Sequence, residues 1–297
     1  MPTSDNSKPE IMVNCACVTG ENPLWHPTEG RVYWVDIPSG HLYRYSPTTS
    51  KTEMFDIGTE VGGFTIQTDG SLVLFMAKGA VAFWREGKLS TVIGDIQAEC
   101  DTRFNDVIAD PEGRVFCGTM SSPSHLGRLY RLDTDNRITQ VLDGIGTSNG
   151  MGFSLDRKSM YHTDTNLSEI RIFDYDKATG AMANRRVFVK VTDNAGRPDG
   201  LTVDADGCVW SAMWDGACIV RYDPNGKEML RIAFPAKKVS SLSFGGVDYT
   251  NIFVTTAGGR NRKEEGPGAG ALFNLNLGIK GLPEFFSRID SAPANRR

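Results

Sequence analysis

The feature that most constrains this chain is a pattern of turns and strands that recurs six times. Each copy begins with a turn rich in Asp, Pro and Gly, continues with an aromatic and β-branched run, and then contains a second such run. The last turn residues lie 40, 43, 45, 49 and 43 residues apart and are Gly30, Gly70, Gly113, Lys158, Gly207 and Thr250. A period of roughly 40 to 50 residues with several strands per copy is typical of β-propeller blades.

The second run of each copy predicts the third strand of a four-stranded blade. These runs are residues 41–45, 80–84, 127–131, 169–173, 218–222 and 270–274. Helical periodicity is absent over any window of a dozen residues, and 32 Gly with 14 Pro supply frequent breaks. We therefore predict an all-β, six-bladed propeller that forms a single domain of residues 1–297, with flexible tails at residues 1–10 and 288–297.

A propeller of six copies needs a device that closes the ring, because open strand edges template aggregation. Residues 11–18 precede the first copy and are strand-like in composition. We expect this segment to complete the last blade as its outermost strand.

Charge and cysteine content exclude several classes of protein. The chain has 32 Lys and Arg against 36 Asp and Glu, and its longest basic clusters are the pairs at 185–186 and 237–238. This predicts neither a nucleic-acid nor a membrane partner. Because residues 1–10 lack an apolar segment and no run of 18 apolar residues occurs, we expect a cytoplasmic protein. The six cysteines include no C-x-x-C pair, which favours buried free thiols over disulfides or a metal cluster.

Polar residues recur at one position of the repeat, where each innermost strand is predicted to begin. Eight or nine residues before each turn marker stand Glu21, Gly62, Asn105, Asn149, Asp199 and Ser241. We expect these positions to converge at one end of the central channel. Glu21, Asn149 and Asp199 would offer oxygen ligands that suit Ca²⁺, Mg²⁺ or Mn²⁺. The alternative is that Asn and Asp only cap turns between strands.

Arg103 and Asn105 lie two residues apart, so in an extended strand their side chains face the same way. Beside a metal, a guanidinium and an amide would suit a polyhydroxylated or anionic ligand. The alternative is a surface arginine paired with Asp101 or Asp106. Trp214, just after an innermost run, is a candidate for a wall on which a sugar stacks.

Residues 146–150 match the G-x-S-x-G motif of serine hydrolases, with Ser148 as the nucleophile. That motif requires a helix after the serine and a histidine to serve it. A strand-like run follows here, so we set this interpretation aside. Residues 258–266 interrupt the last blade and predict either an exposed loop or a rim over the site.

The chain resembles the SMP-30/gluconolactonase family, which includes regucalcin and bacterial sugar lactonases. The resemblance runs from about Cys15 to Phe273 and rests on residues 20–25 (Gly-Glu-Asn-Pro-Leu-Trp), 103–106, 110–114, 118–120, 148–150, 197–200 and Asp204. It implies a six-bladed propeller that hydrolyses aldonolactones, with one divalent metal held by Glu21, Asn149 and Asp199. It also implies that Arg103 and Asn105 contact the substrate, that the metal polarises the lactone carbonyl, and that Asp199 is the general base.

The resemblance leaves some points open. Residues 121–125 differ from the regucalcin-like branch, which carries an acidic residue there, whereas residues 161–165 look like the sugar-lactonase branch. We expect a small sugar lactone as substrate, Ca²⁺ as the metal with Mg²⁺, Mn²⁺, Fe²⁺ or Zn²⁺ also accommodated, and a monomer or weak homo-oligomer. The alternatives are a non-catalytic, calcium-binding regulatory propeller, a phosphotriesterase on the same scaffold and, more remotely, a covalent serine hydrolase.

Overall fold

Six antiparallel sheets of four strands are arranged in a ring, which confirms the predicted six-bladed propeller. The structure is a computed structural model that describes residues 7–192 and 194–291. The blades are built from consecutive strands, except that the last blade takes its fourth strand from the N-terminal part of the chain.

The strands follow the repeat. The first three blades contain β2 (Gly20–His26), β3 (Arg31–Asp36), β4 (His41–Ser46) and β5 (Lys51–Asp56); β6 (Val61–Ile66), β7 (Leu72–Met76), β8 (Val81–Arg85) and β9 (Lys88–Ile93); and β10 (Phe104–Ala109), β11 (Val115–Thr119), β12 (Gly127–Leu132) and β13 (Ile138–Ile145). The last three contain β14 (Ser148–Phe153), β15 (Ser159–Asp164), β16 (Glu169–Asp176) and β17 (Ala181–Lys190); β18 (Arg197–Val203), β19 (Val209–Trp214), β20 (Cys218–Tyr222) and β21 (Glu228–Ala233); and β22 (Val239–Gly245), β23 (Asn251–Thr256) and β24 (Leu272–Asn276) with β1 (Glu10–Val13).

The first strand of each blade lies innermost. β2, β6, β10, β14, β18 and β22 contact one another around the axis, as the repeat predicts. Each of these strands starts at one end of the channel and ends at the turn that leads to the second strand. The residues at the starts of the strands therefore share one end of the channel, and the turns share the other.

The N-terminal strand closes the ring. β1 pairs with β24, with Ile11 opposite Phe273, and lies at the outer edge of the last blade. This confirms the predicted closure, but the strand is shorter than residues 11–18, because Ala16 has a φ of +56° and turns the chain. Beyond that turn the Cys17 amide donates to the Gly270 carbonyl. The predicted tail 1–10 ends too late, since Glu10 is already part of β1, and residues 1–6 lie outside the described residues.

The segment after β24 crosses the turn end of the channel, and we name residues 280–290 the C-terminal strap. It bonds to four blades: Gly281 to Tyr249, Lys280 to Ala205, Ser287 to Ile66, and Arg288 to Gly113. The strap corrects the predicted tail at 288–297. Ile289 is only 3% exposed and packs in an apolar cluster with β7 and β11 residues, because burying its side chain stabilises the folded chain. Residues 292–297 lie outside the described part of the chain.

All six innermost strands carry a β-bulge where the polar residues recur. The register shifts fall between Glu21 and Leu24, Val61 and Gly63, Phe104 and Val107, Asn149 and Met151, Pro198 and Leu201, and Val239 and Ser241. An inserted residue bends a strand and re-aims its side chains. Neighbouring bulged strands also approach closely: a Cβ on Gly62 would collide with the Phe104 carbonyl, and one on Gly150 with Leu201.

The cysteines are all free thiols, and the described helices are short. All six cysteines are free, as predicted, and four of them are buried. In the segments 7–192 and 194–291, the helices are two 3₁₀ turns, Gln97–Glu99 and Arg262–Glu265. Neither of these described helices has the length or apolar character needed to cross a membrane.

Closure by β1 predicts that removing residues 1–18 destabilises the ring, because β24 would lose its outer neighbour and become an open edge. We expect the midpoint of thermal unfolding to fall by about 10 °C or more, since each kcal/mol shifts a domain of this size by roughly 2 °C. Removing only residues 1–6 leaves β1 intact and is the matched control. Thermal unfolding followed by circular dichroism measures both deletions, and equal midpoints for the 1–18 deletion and the full chain would contradict the closure.

Candidate functional site

A cavity of about 450 Å³ opens at the end of the channel where the innermost strands begin. We name it the upper cavity. The structure brings all five side chains predicted from the sequence to its wall: Glu21, Arg103, Asn105, Asn149 and Asp199. They come from four blades, on or directly beside β2, β10, β14 and β18. Ser241, which shares their position in the repeat, faces a second cavity deeper in the channel instead.

Two carboxylates are buried together in this cavity. Glu21 is 8% exposed and Asp199 is 4% exposed. Burial raises the pKa of Glu21 well above its usual range, and the negative charge of Asp199 raises it further. Burial also raises the pKa of Asp199, with the charge of Asp106 adding to the effect. Two desolvated acids side by side are costly unless a positive charge joins them.

One of these oxygens lacks a partner. Asp199 Oδ1 is buried and accepts no hydrogen bond from any described residue. Glu21 Oε2 accepts one weak bond, from the Asn22 amide at 3.3 Å. A buried carboxylate oxygen without a hydrogen-bond partner is chemically suited to bind a cation.

The amide of Asn149 is fixed in orientation. Its Nδ2 donates to Thr165 Oγ1 at 2.7 Å, and that hydroxyl donates to the Pro198 carbonyl at 2.7 Å. Its Oδ1 accepts from Asn105 Nδ2 at 2.7 Å. Because a carbonyl oxygen has two lone pairs, Oδ1 keeps one free for a ligand in the cavity. Thr165 was not identified from the sequence, since nothing in its local motif distinguishes it from a strand-end threonine.

Arg103 lies in the cavity and not on the surface. Its Nη1 donates to Asn105 Oδ1 at 2.7 Å and to the Phe104 carbonyl at 2.9 Å. Asp101, one of the two surface partners considered from the sequence, instead accepts from Ser124 and lies 3.3 Å from His125. Burial lowers the pKa of Arg103, while the nearby carboxylates oppose the shift.

The blade that carries Asp199 supplies two further residues of the cavity wall, Trp214 and Arg197. Trp214 lines the cavity, as the sequence analysis anticipated. Arg197, which the sequence analysis used only as part of a motif, also lines the cavity and pairs with Asp215 at 3.1 Å. Lys238 Nζ lies 5.7 Å from the centre of the Trp214 ring and pairs with Glu265. Residues 258–270 therefore brace this wall through Glu265 and do not line the upper cavity.

The structure supplies the histidine that the G-x-S-x-G interpretation lacked, but at an inaccessible place. Ser148 Oγ lies 2.8 Å from His162 Nε2, and both residues are fully buried. Burial and the charge of Arg171 lower the pKa of His162 to about 3. His162 Nδ1 has no partner among the described residues, so no acid orients the ring. The pair packs the blade behind Asn149 and offers no nucleophile to a substrate.

The residues present fit a hard divalent cation. Among the described residues, no group of three or more His, Cys, Asp or Glu side chains converges. A cation in the upper cavity would therefore use the amide oxygen of Asn149 together with the two carboxylates. Oxygen donors of this kind suit Ca²⁺ or Mg²⁺ better than ions that prefer thiolate or imidazole.

Comparison with known proteins places the chain in a family. The sequence model described as SMP-30/Gluconolactonase/LRE-like region matches residues 19–258, a range that includes all five site residues. Pentonolactonase XacC of Haloferax volcanii is 46% identical over 285 residues, which cover 94% of this chain and 97% of the relative. Regucalcin of Xenopus laevis is 33% identical over 288 residues, covering 93% and 96%.

Solved structures show the same fold. A structure described as a calcium-binding protein, regucalcin, from Agrobacterium tumefaciens superposes with a TM-score of 0.87 at 23% identity, covering 94% of this chain and 97% of the other. The family match and the relatives together confirm the resemblance inferred from the motifs. The chain belongs to the SMP-30/gluconolactonase/LRE-like family.

Proposed function

We propose that this chain is a metal-dependent lactonase that opens sugar lactones to aldonic acids. The observation that carries the proposal is the upper cavity itself, where two buried carboxylates and the Asn149 amide oxygen meet Arg103 and Asn105. The Haloferax volcanii relative, a pentonolactonase by name, supports the substrate class. An acyl ester that closes a sugar ring matches such a site, because it presents both a carbonyl and hydroxyl groups.

Glu21, Asn149 and Asp199 would hold one divalent ion, with Ca²⁺ as the proposed ion. The unpaired Asp199 Oδ1 and the free lone pair of Asn149 Oδ1 support this ligand set. When bound, such an ion supplies Lewis-acid polarisation of a carbonyl and lowers the pKa of water.

Arg103 and Asn105 would bind and orient the sugar. They are hydrogen-bonded to each other and form one rigid unit. Arg103 keeps the donors of Nε and Nη2 for the sugar, whereas Asn105, whose Nδ2 donates to Ser148 and Asn149, offers a lone pair of Oδ1 as an acceptor. Trp214 offers an aromatic face against which the C–H face of a sugar ring can pack. Holding the ring at these points places the carbonyl carbon near an attacking water, and such positioning lowers the barrier.

Asp199 would act as the general base. It takes a proton from the water whose oxygen adds to the lactone carbonyl carbon. The bond between that carbon and the ring oxygen then breaks, and the protonated Asp199 returns the proton to the leaving ring oxygen. Burial raises the pKa of Asp199, whereas a bound cation would lower it, so the base strength of this carboxylate depends on the ion that it holds.

The proposal predicts that Asp199→Asn lowers kcat for aldonolactone hydrolysis by about 100-fold or more, because the substitution removes the base and a charged ligand. The matched control is Asp174→Asn, which changes an exposed carboxylate paired with Arg186 and should leave turnover unchanged. Turnover is measured on five- and six-membered aldonolactones, with chelated protein reloaded with Ca²⁺, Mg²⁺, Mn²⁺, Fe²⁺ or Zn²⁺ in turn.

A phosphotriester is included in the same panel. Failure of every reloaded form to accelerate opening of any lactone would contradict the lactonase proposal. Phosphotriester cleavage without lactone opening would assign the cavity to the other hydrolase class. Loss of bound metal in Asp199→Asn with no turnover in the parent chain would indicate a non-catalytic, metal-binding protein.

A second prediction concerns Ser148. Because its hydroxyl is buried against His162 and away from the cavity, Ser148→Ala should keep kcat within about threefold of the parent while lowering the free energy of unfolding by about 1 kcal/mol. Steady-state kinetics and denaturant unfolding measure the two effects. A loss of activity of a thousandfold or more, with stability retained, would instead assign Ser148 as the nucleophile.

A further inference from the structure

Deeper in the channel lies a second, smaller cavity that the proposed lactonase chemistry does not use. We name it the inner cavity; its volume is about 30 Å³. Asp106 of β10, Ser243 of β22 and Glu284 of the C-terminal strap line it. A volume of this size holds one ion with one or two waters, since a single water needs roughly 10 to 15 Å³.

Two carboxyl groups face this small space with few partners. Asp106 Oδ1 accepts from the Val107 amide at 2.8 Å, and Glu284 Oε1 accepts from Thr202 Oγ1 at 3.5 Å. Burial raises the pKa of Asp106 to about 6 and that of Glu284 to about 7, and the charge of Asp106 contributes to the second shift. No Lys or Arg occurs among the described residues that line the inner cavity, so the wall itself supplies no counter-charge.

An independent observation points to a ligand in the same space. Ser243 is 2% exposed, and its Oγ has no hydrogen-bond partner among the described residues. Leaving a buried hydroxyl without a hydrogen-bond partner is unfavourable, because the group has lost its hydration and gains nothing in return. A ligand in the inner cavity would remove that cost by binding the oxygen.

We propose that the inner cavity binds a second divalent cation, held by Asp106 and Glu284 with Ser243 Oγ and water completing the coordination. Carboxylate and hydroxyl oxygens are hard donors, and Ca²⁺ tolerates the irregular geometry that three separate segments provide. The ion would tie the strap to β10 and β22. It would therefore stabilise the turn end of the channel, opposite the opening of the upper cavity.

The test counts bound ions. Full-length chelated protein is dialysed against Ca²⁺ at pH 8, where both inner carboxyls can ionise, and bound calcium per chain is measured by atomic emission. We expect two ions per chain in the parent, one in Asp106→Asn and one in Glu284→Gln. Asp199→Asn should also retain one ion, at the inner cavity. Asp174→Asn, which changes an exposed acid paired with Arg186, should retain two ions and is the matched control.

The outcomes separate this proposal from the proposed function. A single ion that is lost in Asp199→Asn but kept in Glu284→Gln would overturn the inner site and leave the upper metal intact. A single ion that is kept in Asp199→Asn but lost in Glu284→Gln would support the inner site and contradict the upper ligand set. If Asp106 and Glu284 only share a proton, the inner cavity binds no ion. The parent chain would then hold one ion, and the inner site would be overturned.

Ser243→Ala tests the inner site even if the two carboxyl variants fail to fold. It removes one oxygen from a small side chain and keeps both carboxyls, so the fold should persist. Titration calorimetry with Ca²⁺ should show the inner site weakened by about tenfold, which is a loss of roughly 1.4 kcal/mol in binding free energy. Two sites with parent affinities in Ser243→Ala would remove Ser243 from the ligand set and overturn the proposal as stated.

Discussion

The candidate site depends on carboxylates that are buried at the axis of the ring. Six innermost strands converge there, and their bulges turn polar side chains towards the channel. Glu21 and Asp199 lose hydration there, and Asp199 Oδ1 gains no hydrogen bond from the part of the chain that the structure describes. A propeller can carry this cost because it also holds large apolar clusters, in which residues such as Phe64 and Trp210 are fully buried.

Much of the fold could be predicted because its signals are local. Turns at Gly30, Gly113 and Gly207 have positive φ, and each marks the end of an innermost strand. Counting back from these turns identified Glu21, Asn105 and Asp199, and counting back from the turn at Lys158 identified Asn149, because this stretch is eight or nine residues long in each blade. Placement in one cavity follows from that phase together with the closure of the ring.

Other features could not be predicted because they depend on contacts between distant segments. Ile289 looks like part of a polar tail in the sequence, but in the structure its amide donates to Gln67 Oε1, 222 residues away, as part of the strap. The bulges leave no residue signature apart from glycines such as Gly62 and Gly150, which also fit ordinary turns. The contact of Ser148 with His162 joins neighbouring strands in a register that the sequence alone does not specify.

The two ends of the channel differ in structure and in proposed role. The open end presents the proposed ligands and sugar-binding groups, whereas the other end is crossed by the strap, which bonds to blades at Tyr249, Ile66 and Gly113. The central claim is that Glu21, Asn149 and Asp199 hold one ion. A crystal structure of protein loaded with Mn²⁺ tests it by anomalous scattering. We expect a peak within about 2.5 Å of an oxygen of each residue, and a peak elsewhere, with none of the three residues bound to it, would contradict this ligand set.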